Sequence, residues 1–148
     1  MSGTPEAAAQ AFRTAVGTEH AAVWVYGLAR AFATESRVRD AIDQATEAHE
    51  ATRDSAEQAM RAAGLTPPVA QPAYDVGAPV DDQRGAIDAL LRAETDCQIG
   101  WRAALEAGAD AGQRRIAVDA LTTAATRATR WRLTIGAEPA AQHFPGKP

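Results

Sequence analysis

The sequence predicts an all-α fold, a four-helix bundle with one long connection between the second and third helices. Apolar residues recur at three- and four-residue steps over four long stretches, which is the pattern of amphipathic helices. Proline and glycine are concentrated between the second and third stretches, and no stretch shows the alternation typical of strands. With 148 residues, 46% of them hydrophobic, the chain has the size of one domain with its own core. We therefore expect a single helical domain over residues 1–148.

The first helix is expected over about residues 5–33. Thr4 is a residue type that caps helix N-termini, and Pro5 suits the first helical position. Glu6 follows near the positive end of the helix dipole. The second helix is expected over residues 36–63, since capping residue types precede it and Gly64 follows it.

The connection over residues 64–81 contains four prolines and one further glycine, which exclude a long helix. An extended chain of this length spans about 60 Å, whereas a helix of about 25 residues is under 40 Å long. The connection is therefore long enough to cross the whole bundle, and the helices on either side of it can run parallel. This is the single-crossover topology of ferritin-like bundles.

The third helix is expected over residues 82–107 and the fourth over residues 111–135. Asp110 is placed to cap the fourth helix, and Gly136 is placed to end it. Residues 136–148 form a proline-containing tail.

Composition excludes several classes of protein. The net charge is −4 and the charges are interspersed, so the chain lacks the basic surface that binds nucleic acid. No apolar run approaches the roughly 20 residues that cross a membrane. Cys97 is the single cysteine and no secretory signal opens the chain, so we expect a reducing, cytoplasmic location.

Three polar residues fall on the core-facing stripes, each near the middle of its helix. Glu19 lies seven residues after Phe12 and seven before Tyr26, so all three share one face. The same spacing places His49 and Glu94 on the core lines of the second and third helices. An unpaired charge at that depth costs several kcal/mol, so these groups need a compensating cation.

A metal is one candidate for that cation, and the relevant template is a di-iron bundle site. Such a site takes one Glu from each of two helices and Glu-x-x-His from each of the other two. Glu19 and Glu94 match the single glutamates, but a threonine precedes His49 by three residues and the fourth helix offers only Asp119 without a histidine. An incomplete iron or manganese site would use Glu19, His49 and Glu94, completed by Glu50 or Asp119.

An arginine is the other candidate. Arg127 and Arg130 lie on the fourth helix, and a guanidinium turned inward pairs bidentately with carboxylates. We favour a buried network of Glu19, His49, Glu94 and one or both arginines, with no cofactor and no enzymatic activity. A third hypothesis is a pocket within the bundle where the glutamates orient a cationic or hydroxylated small ligand.

A second apolar stripe on the first helix indicates association. It includes Trp24, Leu28 and Phe32 and is offset from the Glu19 face, so this helix is apolar around most of its circumference. The stripe predicts a homodimer packed along the first helix, with Trp24 as its anchor. The alternative is that the long connection, with Tyr74 among its apolar residues, folds over that face.

Several segments together resemble an uncharacterised actinobacterial family of ferritin-like proteins classed as a domain of unknown function. The segments are Thr18–Gly27, Pro72-Ala73-Tyr74, Glu94 preceding Trp101, and Arg127–Arg132. The resemblance extends over nearly the whole chain. It implies a ferritin-like four-helix bundle that is dimeric and has no established activity. It does not supply the missing ligands, so iron oxidation or storage does not follow from it.

Overall fold

The computed structural model describes residues 3–148 and contains four α-helices within that range. They are α1 (Pro5–Arg30), α2 (Ser36–Ala62), α3 (Gln83–Glu106) and α4 (Ala111–Ile135). No strand occurs in the described residues. The prediction of an all-α chain with four helices is therefore confirmed. Residues 1 and 2 of the expected domain lie outside the described range.

Local side-chain caps start three of the helices. Thr4, Asp82 and Asp110 each accept a hydrogen bond from the backbone N–H three residues further on, at 3.2, 2.7 and 2.9 Å. Gly136 ends α4 with φ of 67°, a left-handed conformation that glycine adopts without a Cβ clash. These ends depend on short-range chemistry and lie within one residue of the positions expected from the sequence.

The end of α1 differs from the expectation. The helix ends at Arg30, whereas the apolar pattern extended to Ala33. The amides of Ala31 and Phe32 bond to carbonyls three residues back instead of four, so the last turn tightens and the chain leaves the helix. Ala33 is still buried, which explains why the pattern continued past the helix end.

Long-range hydrogen bonds at two places fix the relative positions of the helix ends. The side-chain oxygen of Gln83, at the start of α3, accepts from the amides of Thr34 and Glu35 at 2.8 and 3.0 Å, so α2 and α3 begin at the same end of the bundle. At the opposite end, Arg13 near the start of α1 donates to the carbonyl of Thr66, just beyond α2, at 3.1 Å. Residue Thr66, just after α2, thus lies beside the start of α1, and α3 begins beside the start of α2.

The helices form a closed ring in the order α1, α2, α4, α3, with α1 and α4 diagonal to each other. α1 and α3 approach closely at Gly100, where an added Cβ would lie 3.2 Å from the Cα of Ala15. α2 and α4 pack least closely of the four neighbouring pairs. This difference leaves a groove along α2 and α4.

The second apolar stripe of α1 is partly covered by the chain itself. The ring of Trp24 lies 6.0 Å from that of Tyr74 in the segment between α2 and α3, and Val76 and Val80 pack against the core. Leu28 and Phe32 are half-buried. The alternative in which the connection folds over this face thus has structural support, and the homodimer stays a prediction. Across residues 3–148, no helix is long and apolar enough to cross a membrane.

Candidate functional site

The three polar residues predicted on the core lines are sealed in the centre of the bundle. Glu19, His49 and Glu94 are 1%, 0% and 0% exposed. They come from α1, α2 and α3, and each lies near the middle of its helix. Charged side chains are almost never buried this completely unless they are paired, so their partners determine what the site is.

His49 lies between the two glutamates. Its Nδ1 is 2.5 Å from Oε2 of Glu19 and its Nε2 is 2.8 Å from Oε1 of Glu94. An ionised carboxylate only accepts hydrogen bonds, so both ring nitrogens donate and the ring is an imidazolium. Burial favours the neutral ring, but the hydrogen bonds to Glu19 and Glu94 outweigh burial and raise the pKa of His49 to about 9.

Glu94 is held by three donors on a single oxygen. Besides His49, the hydroxyl of Tyr26 donates to Oε1 at 2.7 Å and Nε of Arg127 donates to it at 2.8 Å. Burial alone would raise the pKa of Glu94, but the hydrogen bond from His49 and the charges of His49 and Arg127 lower it. Trp131 extends the network by donating from its indole nitrogen to the Tyr26 hydroxyl at 2.8 Å.

Glu19 has both of its oxygens occupied. Oε2 bonds to His49, and Oε1 accepts from the indole nitrogen of Trp101 at 2.7 Å. The network therefore contains two carboxylates, one imidazolium and the Arg127 guanidinium, and its formal charges sum to zero. This balance removes the cost of an unpaired charge in the core.

All four helices contribute residues to this charge-balanced cluster. Comparison with known proteins shows which family the chain belongs to. A family model described as a domain of unknown function, DUF4439, matches residues 11–148. The chain belongs to the DUF4439 family. A search of curated proteins found no match.

A solved structure has a fold similar to that of this DUF4439 domain. The chain is similar to a conserved hypothetical protein from Mycobacterium tuberculosis, whose crystal structure matches with a TM-score of 0.84 at 30% sequence identity. The match covers 88% of this chain and 98% of that one. Neither the description of the DUF4439 family nor that of the solved structure names an activity.

Other predicted site residues lie outside the network. Asp119 and Arg130 are exposed on α4, and Glu50 is half-buried on α2 without a hydrogen bond to any network residue in the described range. Arg127 is thus the arginine that faces the core, with a side chain that is 14% exposed. Without a carboxylate from α4, the residues of this DUF4439 domain do not fit a di-metal carboxylate centre.

Three aromatic residues that were not among the predicted site residues belong to the network. Tyr26, Trp101 and Trp131 each donate a hydrogen bond within it. Two of them lie seven residues from a predicted glutamate, Tyr26 from Glu19 and Trp101 from Glu94, so the signal was present in the spacing. Buried Tyr and Trp need hydrogen-bond partners for their polar atoms. A Tyr or Trp on the same helix face as a buried carboxylate could therefore have been predicted to join the network.

Cys97 lies beside the network. One ligand atom each from Glu19, His49 and Cys97 lie within 4.8 Å of one another. Burial, with the nearby carboxylates of Glu19 and Glu94, raises the pKa of the thiol well above its usual value, and Sγ lies 3.5 Å from the carbonyl oxygen of Thr18. The sulfur is therefore a neutral thiol at physiological pH.

One carboxylate oxygen of the network has no protein partner. Oε2 of Glu94 is buried and forms no hydrogen bond with any described residue. Its neighbour Oε1 accepts three hydrogen bonds, so the charge of Glu94 is compensated on one side only. Among the carboxylate oxygens of the described network, this one alone has no hydrogen-bond partner, so it is open to a further cation or proton donor.

Proposed function

We propose that the protein is a ferritin-like bundle without enzymatic activity, in which a Glu/His/Arg network stands where related bundles hold a metal centre. The hydrogen bonding of His49 carries this proposal. A histidine ligates a metal through a nitrogen lone pair, but both ring nitrogens of His49 face carboxylate oxygens at hydrogen-bonding distance. Such a protein acts through its surface and not through chemistry in its core.

The ferritin-like assignment is supported by the order and direction of the helices. α2 and α3 begin at the same end of the bundle, and a long segment without regular structure joins them. α1 packs against α3, and α2 packs against α4. A bundle with one long crossover between its second and third helices has this arrangement.

Charge balance supports the absence of a metal from the working protein. In a carboxylate metal site, the metal ions neutralise the glutamates that surround them. Here the imidazolium of His49 and the guanidinium of Arg127 supply two positive charges against Glu19 and Glu94. A divalent cation added to this set would meet two protein cations and would have to displace at least one of them.

Elemental analysis of protein purified without chelator tests this proposal. We expect iron, manganese and zinc each well below one equivalent, and no change in melting temperature after prolonged treatment with a chelator. Asp119→Ala, at an exposed position of α4, is the control for adventitious metal at surface carboxylates. One equivalent of metal in the wild-type protein and in Asp119→Ala, lost in Glu94→Ala, would overturn the proposal.

A second candidate function is binding of one metal ion beside the network. It is favoured by the clustering of ligand atoms from Glu19, His49 and Cys97 and by the free Oε2 of Glu94. A set of one nitrogen, one sulfur and carboxylate oxygens suits zinc better than iron or manganese. Binding would require His49 and Cys97 each to lose a proton, so metal affinity should rise with pH.

Zinc titration of the wild type and of Cys97→Ser at pH 7 and 9 tests this candidate. The candidate requires saturable zinc binding by the wild type that strengthens at pH 9 and is lost in Cys97→Ser.

A further inference from the structure

A groove of about 270 Å³ opens between α2 and α4, on the side of the bundle where the helices pack least closely. Its α2 wall is formed by Gln44 and three alanines, Ala41, Ala45 and Ala48. Its α4 wall includes Trp131 and two arginines, Arg127 and Arg130. The groove thus combines apolar walls with two positive charges, and no acidic residue lines it.

Arg127 presents its unused donors to this groove. Only its Nε is bound to Glu94, and neither terminal nitrogen makes a hydrogen bond within the described residues. Those terminal nitrogens are not among the buried atoms without a partner, so they reach solvent, and Arg127 is one of the residues that line the groove. The ion pair with Glu94 fixes the guanidinium through Nε and leaves its two terminal nitrogens available to a ligand.

Arg130 adds a second cation near the groove mouth. It follows Arg127 by three residues on α4, so the two side chains are neighbours on the helix surface. Arg130 is exposed and forms no ion pair within residues 3–148. An anion seated on Arg127 would therefore also be attracted by Arg130, whose charge is not paired with a carboxylate of the described residues.

We propose that this groove binds a small organic carboxylate with a compact apolar body. The fork of Arg127 matches the two oxygens of a carboxylate, and Arg130 adds charge. Ala41, Ala45 and the ring of Trp131 would cover the apolar body. The volume lies just below the range of pockets for drug-sized ligands, so the ligand is small, on the scale of a single ring or a short branched chain. This inference goes beyond the proposed function, which assigns no ligand.

Titration with benzoate, followed by the indole N–H signals of ¹⁵N-labelled protein, tests the proposal. We expect a saturable shift of the Trp131 signal and no shift of the Trp24 signal, because only Trp131 lines the groove. The neutral amide benzamide serves as the charge control. Inorganic phosphate serves as the control for simple anion attraction.

Two variants locate the binding. Arg130→Gln should weaken benzoate binding about tenfold, whereas Arg115→Gln, at an exposed position of α4 outside the groove, should leave it unchanged. Ala41→Leu should fill the groove and abolish the shift without lowering the melting temperature. A Trp131 signal that does not respond to benzoate, or that responds equally to benzamide or phosphate, would overturn the proposal. Full benzoate affinity in both Arg130→Gln and Ala41→Leu would also overturn it.

Discussion

At the scale of single residues, the protein places two glutamates in its core and compensates both of them with its own cations. His49 bridges Glu19 and Glu94, and Arg127 adds a second positive charge. The burial of these groups was visible in their seven-residue spacing from apolar residues. Their hydrogen-bond partners could not be predicted, because the spacing along one helix does not determine which side chains of the other helices a residue contacts. The donor roles of Trp101 and Trp131 depend on such contacts between helices.

Removing Glu19 should be strongly destabilising. Glu19→Ala leaves the imidazolium of His49 and the indole nitrogen of Trp101 without an acceptor in the core, and breaking a buried ion pair costs about 3–5 kcal/mol. Chemical denaturation measures this loss in the free energy of unfolding. Glu47→Ala, at an exposed position of α2, is the matched control and should change stability by less than about 0.5 kcal/mol. Equal stability of the two variants would show that Glu19 has no buried partner to lose.

The protonation of His49 should make stability depend on pH in the alkaline range. The pKa rises from 6.5 to about 9 on folding, so the stabilisation is complete below pH 6.5 and is lost as the pH rises through 9. At 1.36 kcal/mol per pKa unit the loss is about 3 kcal/mol. Urea unfolding between pH 6 and 9.5 measures it, and His49→Gln should remove this slope. A wild-type stability that is constant over this range would contradict the assignment of His49 as the imidazolium.

At the scale of helices, the ends that could be predicted are those fixed by neighbouring residues. Thr4 and Asp110 cap their own helices, and their position in the sequence is enough to show it. The start of α2 was also predicted correctly at residue 36, but the contact that fixes it was not. Its N-cap residue, Glu35, makes no side-chain capping bond, and the amides of Thr34 and Glu35 are capped by Gln83 from α3. A cap supplied by another helix depends on the tertiary fold.

Substitution of Gln83 should therefore destabilise the start of α2, although Gln83 itself belongs to α3. Gln83→Ala removes the acceptor of the Thr34 and Glu35 amides and the donor to the Glu35 carboxylate, with an expected loss of about 1–2 kcal/mol. Hydrogen exchange at Thr34 and Glu35 should become faster. Gln58→Ala, at an exposed position of α2, is the control. Unchanged exchange at both amides in Gln83→Ala would mean that this contact does not secure the helix start.

At the scale of the whole molecule, the helix count and the presence of one long connection could be predicted, but the rotation of α4 could not. The buried face of α4 is formed mainly by alanines, with Ala117, Ala120 and Ala124 among them. Alanine is small and only weakly hydrophobic, and the larger apolar residues Val118 and Leu133 lie on the exposed face, so the hydrophobic pattern of this helix is weak. The sequence could therefore not decide between Arg127 and Arg130, nor show that Asp119 faces solvent.

The oligomeric state is a second property of the whole molecule. The prediction of a homodimer along α1 rests on its second apolar stripe, of which Leu28 and Phe32 remain partly exposed. Sedimentation velocity should give twice the mass of the chain, and Leu28→Arg should give the monomer because it places a charge in the interface. A monomeric wild type would instead mean that the contact of Tyr74 with Trp24 is sufficient cover for this face.

The core of the bundle holds a protonated histidine between two carboxylates, and the charge state of His49 can be measured directly. ¹⁵N NMR of the imidazole nitrogens at pH 7, assigned by comparison with His49→Gln, reports the protonation of each ring nitrogen. We predict protons on both Nδ1 and Nε2 of His49, because each faces a carboxylate oxygen. A His49 ring at pH 7 with one nitrogen free of a proton, as metal ligation requires, would contradict the account.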